Sequence, residues 1–194
     1  MSGVDPSPTA SPDTTNPREL LRSRSYLALL VLGAIIGVPV ATVAYFFLQA
    51  VSETQQFVFD TLPGELGFDS PPVWWQIPPL ALSGLLVALT IRYLPGTGGH
   101  RPAEGFKTGG AVQPIELPGI IIASFATLSL GVVLGPEAPL IAIGSGMGVL
   151  AVHLIKRDAP EMASVVIGAA GSFAAISTLL GSPLAGAFLM MEAA

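Results

Sequence analysis

Leu134-Gly135-Pro136-Glu137-Ala138-Pro139 places one carboxylate between two prolines, with charge-free apolar runs before and after it. An ionisable side chain at bilayer depth is costly to hold there and marks function by default. Pro136 and Pro139 both lack an N–H, and proline is tolerated in the first helical turn, so the spacing predicts a helix start with Glu137 at or near its N-cap. Free N–H groups at such a terminus bind anions. An ionised Glu137 is itself an anion, so it competes with a permeating one for the same positive site, and protonation or a swing of the side chain vacates it. Gly135, Pro136, Ala138 and Pro139 are the candidate anion-contacting backbone beside Glu137. Two other readings of the residue exist. A carboxylate capping a helix that ends near the interface contributes about 1 kcal/mol and does nothing else. A general base of an intramembrane enzyme needs a nearby His, Ser pair or metal ligand, and none accompanies it.

A second Gly-rich stretch, Leu94-Pro95-Gly96-Thr97-Gly98-Gly99-His100-Arg101-Pro102, could offer the Thr97 hydroxyl and the amides of Gly98 and Gly99 to an anion. A glycine cluster beside a proline is equally the composition of a plain turn. No Gly-Lys-Ser/Thr follows, so it is not a P-loop. Arg101 and Lys107 read as flanking charges.

The elements that must position these residues are membrane helices. Only 11% of the 194 residues are charged, and the mean hydropathy is +0.69, whereas an ordinary soluble domain carries about 25% charged residues. The chain contains no cysteine, and its two histidines, His100 and His153, stand far apart, which argues against a metal or other resident cofactor. A net charge of −5 argues against nucleic acid as a partner. Residues 1–24 are expected to be a disordered cytoplasmic tail, since the first 17 are Ser, Thr, Pro and Asp with almost nothing to bury. Tyr26 to Ser52 then runs without a charge, longer than the apolar core of a signal peptide and long enough to span. Pro39 should kink that helix, while Gly33 and Gly37 form a small-xxx-small face for a neighbour.

The connection from Glu53 to Asp69 holds Glu53, Asp60, Glu65 and Asp69 and no basic residue, and it reads as an acidic loop. Arg18, Arg22 and Arg24 precede the first helix, and Arg92 to Lys107 follow the second apolar run, Ser70 to Ile91. The positive-inside rule then puts the N-terminus in the cytoplasm and the acidic loop outside, with the plasma (inner) membrane as the expected location. Trp74 and Trp75 are expected at the outer interface. Beyond Lys107 the apolar segments shorten to Leu117–Pro136, Ala138–Ile155 and Met162–Met191, the last broken at Gly181-Ser182-Pro183 into two helices. Broken helices at membrane depth line a cavity or are buried in protein.

Together these residues resemble the CLC family of chloride channels and chloride/proton exchangers. Gly135-Pro136-Glu137-Ala138-Pro139 matches its Gly-(Lys/Arg)-Glu-Gly-Pro signature, and Ile143-Gly144-Ser145-Gly146 matches its Ile-Gly-Gly stretch. Gly168 to Ala175 and Ser182-Pro183-Leu184-Ala185-Gly186-Ala187 look like its glycine/alanine helix and the start of the next. The resemblance covers residues 25–194 and implies an all-α, polytopic membrane protein with broken and re-entrant helices, of about six to seven helices, similar to the first half of the CLC inverted repeat. It implies a chloride or similar small-anion pathway gated by Glu137, no enzymatic activity, a lipid bilayer and chloride as partners, and a homodimer.

Three departures qualify the expected activity. The family's Gly-Ser-Gly-Ile-Pro signature corresponds to Gly96-Thr97-Gly98-Gly99-His100-Arg101-Pro102, where anchoring on Gly96 supplies the Thr97 hydroxyl and anchoring on Pro102 supplies none. Pro136 replaces the usual Lys or Arg, and Ala138 replaces a glycine. Exchangers carry an internal proton-relay glutamate second in a Glu-Glu pair; here the resemblance puts Glu192 first and Ala193 second, which implies a channel or weak proton coupling. The Gly-x-Phe-x-Pro signature and pore tyrosine of the second half do not occur in this sequence, so the expectation is a truncated half whose missing second half is a required partner. A non-transporting membrane remnant or scaffold is the alternative.

Overall fold

The computed structural model describes residues 24–68, 70–96, 112–155 and 161–192. All but the last residue of the expected 1–24 tail lies outside the described residues, and so do Thr97, Gly98, Gly99, His100, Arg101, Pro102, Lys107 and Ala193.

Lipid offers the backbone no hydrogen-bond partner, so each charge-free run must satisfy its own N–H and C=O groups as helix. Every regular element among the described residues is helical. They are α1 Arg24–Gln56, a π-helical turn Phe57–Thr61, α2 Leu62–Glu65, a 3-10 turn Val73–Gln76, α3 Ile77–Tyr93, a 3-10 turn Pro114–Glu116, α4 Leu117–Ser129, α5 Glu137–Ile155, α6 Glu161–Leu180 and α7 Pro183–Glu192. Prolines open α3, α4, α5 and α7 within their first turns, where a missing N–H removes no intrahelical bond.

Four helical stretches are long and apolar enough to cross a membrane: Val31–Glu65, Val73–Tyr93, Glu137–Ile155 and Glu161–Leu180. The chain is thus an all-α, polytopic integral membrane protein. At 13 and 10 residues, α4 and α7 reach only about 20 and 15 Å, short of the ~30 Å hydrocarbon core.

Two sequence expectations change. The acidic segment after Ser52 is not a loop: α1 continues through Glu53, passes into the π-helical turn and ends with α2. Acidic residues outside the bilayer need water, which an exposed helix face provides as well as a coil does. Val31–Glu65 spans 35 residues, about 52 Å, so it tilts or protrudes from the core. The tryptophans also part company. Trp74 is 51% exposed, as an interfacial indole should be, whereas Trp75 is buried and its Nε1–H donates to the Val58 carbonyl at 3.0 Å.

The core lies where α1, α5 and α6 meet. Ile36, Val40, Ala44, Phe47 and Val51 form one buried stripe on α1 at helical spacing, while Val31, Ile35, Val38, Tyr45 and Phe46 face outward. That stripe meets Leu140 and Ile143 of α5 and Ile167, Ala175 and Ile176 of α6. The predicted Gly33/Gly37 face is used: Cβ atoms placed there would lie 3.4 Å from Ala170 Cβ and 3.7 Å from Ala174 Cβ. Because 33 pairs with 170 and 37 with 174, α1 and α6 run parallel.

Candidate functional site

Glycines join α5 closely to α6. A Cβ on Gly144 would collide with the Gly171 carbonyl, and one on Gly171 with the Gly144 carbonyl; one on Gly148 would sit 2.5 Å from the Ile167 oxygen. The α5 and α6 backbones therefore touch, antiparallel, through small residues, as membrane helices do when lipid removes the usual hydrophobic drive. Ser172 Oγ donates to the Ile141 carbonyl at 2.9 Å across the same seam. Gly171 lies at the middle of the 20-residue α6, a helix of about 30 Å that matches the hydrocarbon thickness. Glu137 precedes Gly144 by two helical turns, about 10 Å along α5.

At Glu137 α5 begins. The Leu140 N–H donates to the Pro136 carbonyl at 3.0 Å, which makes Pro136 the N-cap and Glu137 the first helical residue. The amides of Glu137 and Ala138 belong to the first turn and have no intrahelical acceptor. Pro139, buried in that turn, has no amide to offer, and neither does Pro136. Of the residues singled out around the carboxylate, Gly135, Glu137 and Ala138 are the ones that can donate; the prolines contribute shape. Glu137 is half-buried. Its carboxylate folds back over Gly135, where a Cβ would collide with Oε2 and lie 3.1 Å from Cδ. The negative group therefore lies toward the residue preceding the positive end of the α5 dipole.

The turn that leads into Glu137 is held from outside. Gly131, with φ +88°, closes α4, and the Val132 N–H returns to the Thr127 carbonyl at 3.1 Å in a Schellman arrangement. Leu134 N–H donates to the Val132 carbonyl at 2.8 Å. The last carbonyls of α4 take side chains from other helices: Gln55 Nε2 of α1 donates to Leu128 O at 2.7 Å, and Ser83 Oγ of α3 donates to Ala126 O at 3.0 Å. A Cβ on Gly131 would meet the Phe59 ring at 2.8 Å. Sequence reasoning missed Gln55, Phe59 and Ser83. The one available signal was Gly131 itself, a glycine just past an apolar run where a helix closes.

The amino end of α7 is finished differently. Ser182 Oγ accepts from the Ala185 N–H at 3.3 Å and the Ser182 carbonyl from Gly186 N–H at 3.1 Å, so a hydroxyl caps this terminus. Gly186 seats α7 on Ser177 of α6. Glu192 is exposed at the far end of α7. On the other side of the bundle, the Val112 N–H reaches Ser145 Oγ at 3.4 Å, so the chain leaving the Gly-rich stretch returns to the α5 glycine face.

Comparison with known proteins adds to this geometry. Residues 80–194 match the family model described as voltage gated chloride channel. The chain is also similar to YfeO, designated a candidate ion-transport protein, from Salmonella schwarzengrund, Salmonella paratyphi A and Salmonella newport, at 34% identity over 173 residues in each case. The match covers 88% of this chain and 41% of each relative, so the chain spans about two fifths of their length.

Proposed function

The chain belongs to the voltage-gated chloride channel family, and from that premise we propose that it builds part of a transmembrane pathway for chloride or a related small anion, gated by Glu137. The observation that supports the reading is the place of this carboxylate: half-buried, at the first residue of α5, bent back over Gly135. An anion arriving at the Glu137 and Ala138 amides meets the field of the helix terminus and the competing charge of the side chain together. Neutralising or withdrawing that charge opens the place it contests. Gly135 contributes by having no side chain to stand in the carboxylate's way, and Pro136 and Pro139 hold the terminus in register.

The family is one of channels and transporters, and no chemical transformation is assigned to this chain. We read Thr97, Gly98 and Gly99 as further anion contacts, and Ala193, beside Glu192, as a relay position unable to carry a proton. The second points to a channel or a weakly proton-coupled transporter. The N-terminus is assigned to the cytoplasm, with Asp60 and Glu65 outside. Membrane segments beyond these helices, in the same protein or a second copy, complete the pathway.

The test is Glu137→Gln in the protein that carries this sequence, reconstituted in liposomes under a chloride gradient. Amide replaces carboxylate at nearly equal volume, so the expected result is a higher anion flux that no longer varies with pH. Wild-type flux with wild-type pH dependence would overturn the gating role.

A further inference from the structure

We infer that Gln55, near the end of α1, and Phe59, in the π-helical turn Phe57–Thr61, form a clamp that positions the Glu137 gate; the inference rests on the gating role proposed above. A π-helical turn inside an α-helix costs hydrogen-bond geometry and is found most often where a helix serves a function. Here it interrupts α1 next to the break between α4 and α5.

Three contacts converge on it. Gln55 Nε2 donates to Leu128 O at 2.7 Å, the carbonyl that a Schellman turn would otherwise offer to the Gly131 amide. The Phe59 ring lies over Gly131, at the left-handed residue where the chain leaves α4. Trp75, buried beside α3, holds the turn from behind through Nε1–H to Val58 O at 3.0 Å. The first two bear on the short non-helical segment Leu130–Pro136, whose far end is the N-cap of α5. Between the clamp and Glu137 the chain is held by bonds of its own turn, Val132 N–H to Thr127 O and Leu134 N–H to Val132 O, while Val133 is fully exposed and Leu134 is 47% exposed. Gln55 and Phe59 are therefore positioning residues. They touch no anion and act through the turn that aims the carboxylate.

The test combines Gln55→Leu and Phe59→Ala, singly, with Glu137→Gln in the reconstituted protein, reading anion flux across pH. Phe57→Ala, on the same turn but 50% exposed, is the comparison. In the wild-type background each clamp variant is expected to raise flux several-fold and to flatten its pH dependence, while Phe57→Ala does neither. In the Glu137→Gln background the clamp variants are expected to change nothing further, because the group they aim is gone. Equal effects of Gln55→Leu with and without the Glu137 carboxylate would overturn the inference, since a merely structural contact acts in both. An unaltered pH profile would overturn it too. If Glu137→Gln alone leaves flux unchanged, the gating role itself has failed, a distinct result that also removes the clamp's target. Where Gln55→Leu or Phe59→Ala does not assemble, Phe59→Leu keeps part of the packing and is judged by the same two-background comparison.

Discussion

At the scale of single residues, the site depends on an absence of atoms at Gly135. The Glu137 carboxylate occupies the space where any β-carbon at position 135 would stand. Gly135 has no left-handed backbone requirement among the positive-φ glycines, so alanine fits the main chain and conflicts only with the carboxylate. Gly135→Ala should therefore push the side chain off its seat and raise anion flux in the direction of Glu137→Gln. The two changes should not add, because both remove the same charge from the same place. Flux lower than wild type in a stable Gly135→Ala protein would count against this account. The carboxylate between prolines was legible in the sequence because prolines announce a helix start by what they lack. The fold-back over Gly135 was not, since no spacing rule tells which way a flexible side chain turns.

Among the helices, the seam between α5 and α6 decides how much change the protein tolerates. Gly144→Val would drive methyl groups into the Gly171 backbone, where no flexible side chain can yield. Overpacking of this kind costs about 1–3 kcal/mol or more, seen as a lower midpoint in a thermal unfolding scan in detergent. Gly84→Ala on α3 is the matched control, because a Cβ there meets nothing within 4 Å. Its expected effect is neutral to stabilising by up to about 1 kcal/mol, from helix propensity alone. Equal loss at both positions would show that the seam is not the special one. The run Ile143 to Gly148 revealed this face by its small residues, and Gly181-Ser182-Pro183 revealed the break between α6 and α7. The acidic segment misled for a physical reason: Glu53 and Glu65 are compatible with helix, and charge reports distance from lipid rather than the end of a helix. Likewise, two adjacent tryptophans cannot both face the same way on a helical turn, and which one turns inward depends on Val58, 17 residues earlier.

For the whole molecule, the charge asymmetry of the sequence becomes a statement about sidedness. The chain has no cysteine, so single thiols report without background. Asp60→Cys lies in the exposed π-helical turn, and Tyr93→Cys, at a residue 73% exposed, lies at the opposite end of α3 from the 3-10 turn. A membrane-impermeant maleimide applied to intact cells should label the thiol at 60 and leave the one at 93 unlabelled until the membrane is permeabilised. The reverse pattern would invert the assigned orientation. The apolar helices and their order could be read from hydropathy, because lipid imposes one rule on every segment. The continuation of α1 past Ser52 could not, since it goes with where Gln55, Phe59 and the Gly33/Gly37 face find partners far away in sequence.

The backbone contact at Gly144 and Gly171 also limits how quickly and by what means this protein responds. With main chain against main chain at this seam, α5 has little room to slide or rotate past α6 there. A gate made of the Glu137 side chain, as proposed, asks only a few bonds to turn, in picoseconds to nanoseconds rather than on the microsecond-to-millisecond clock of shifting domains.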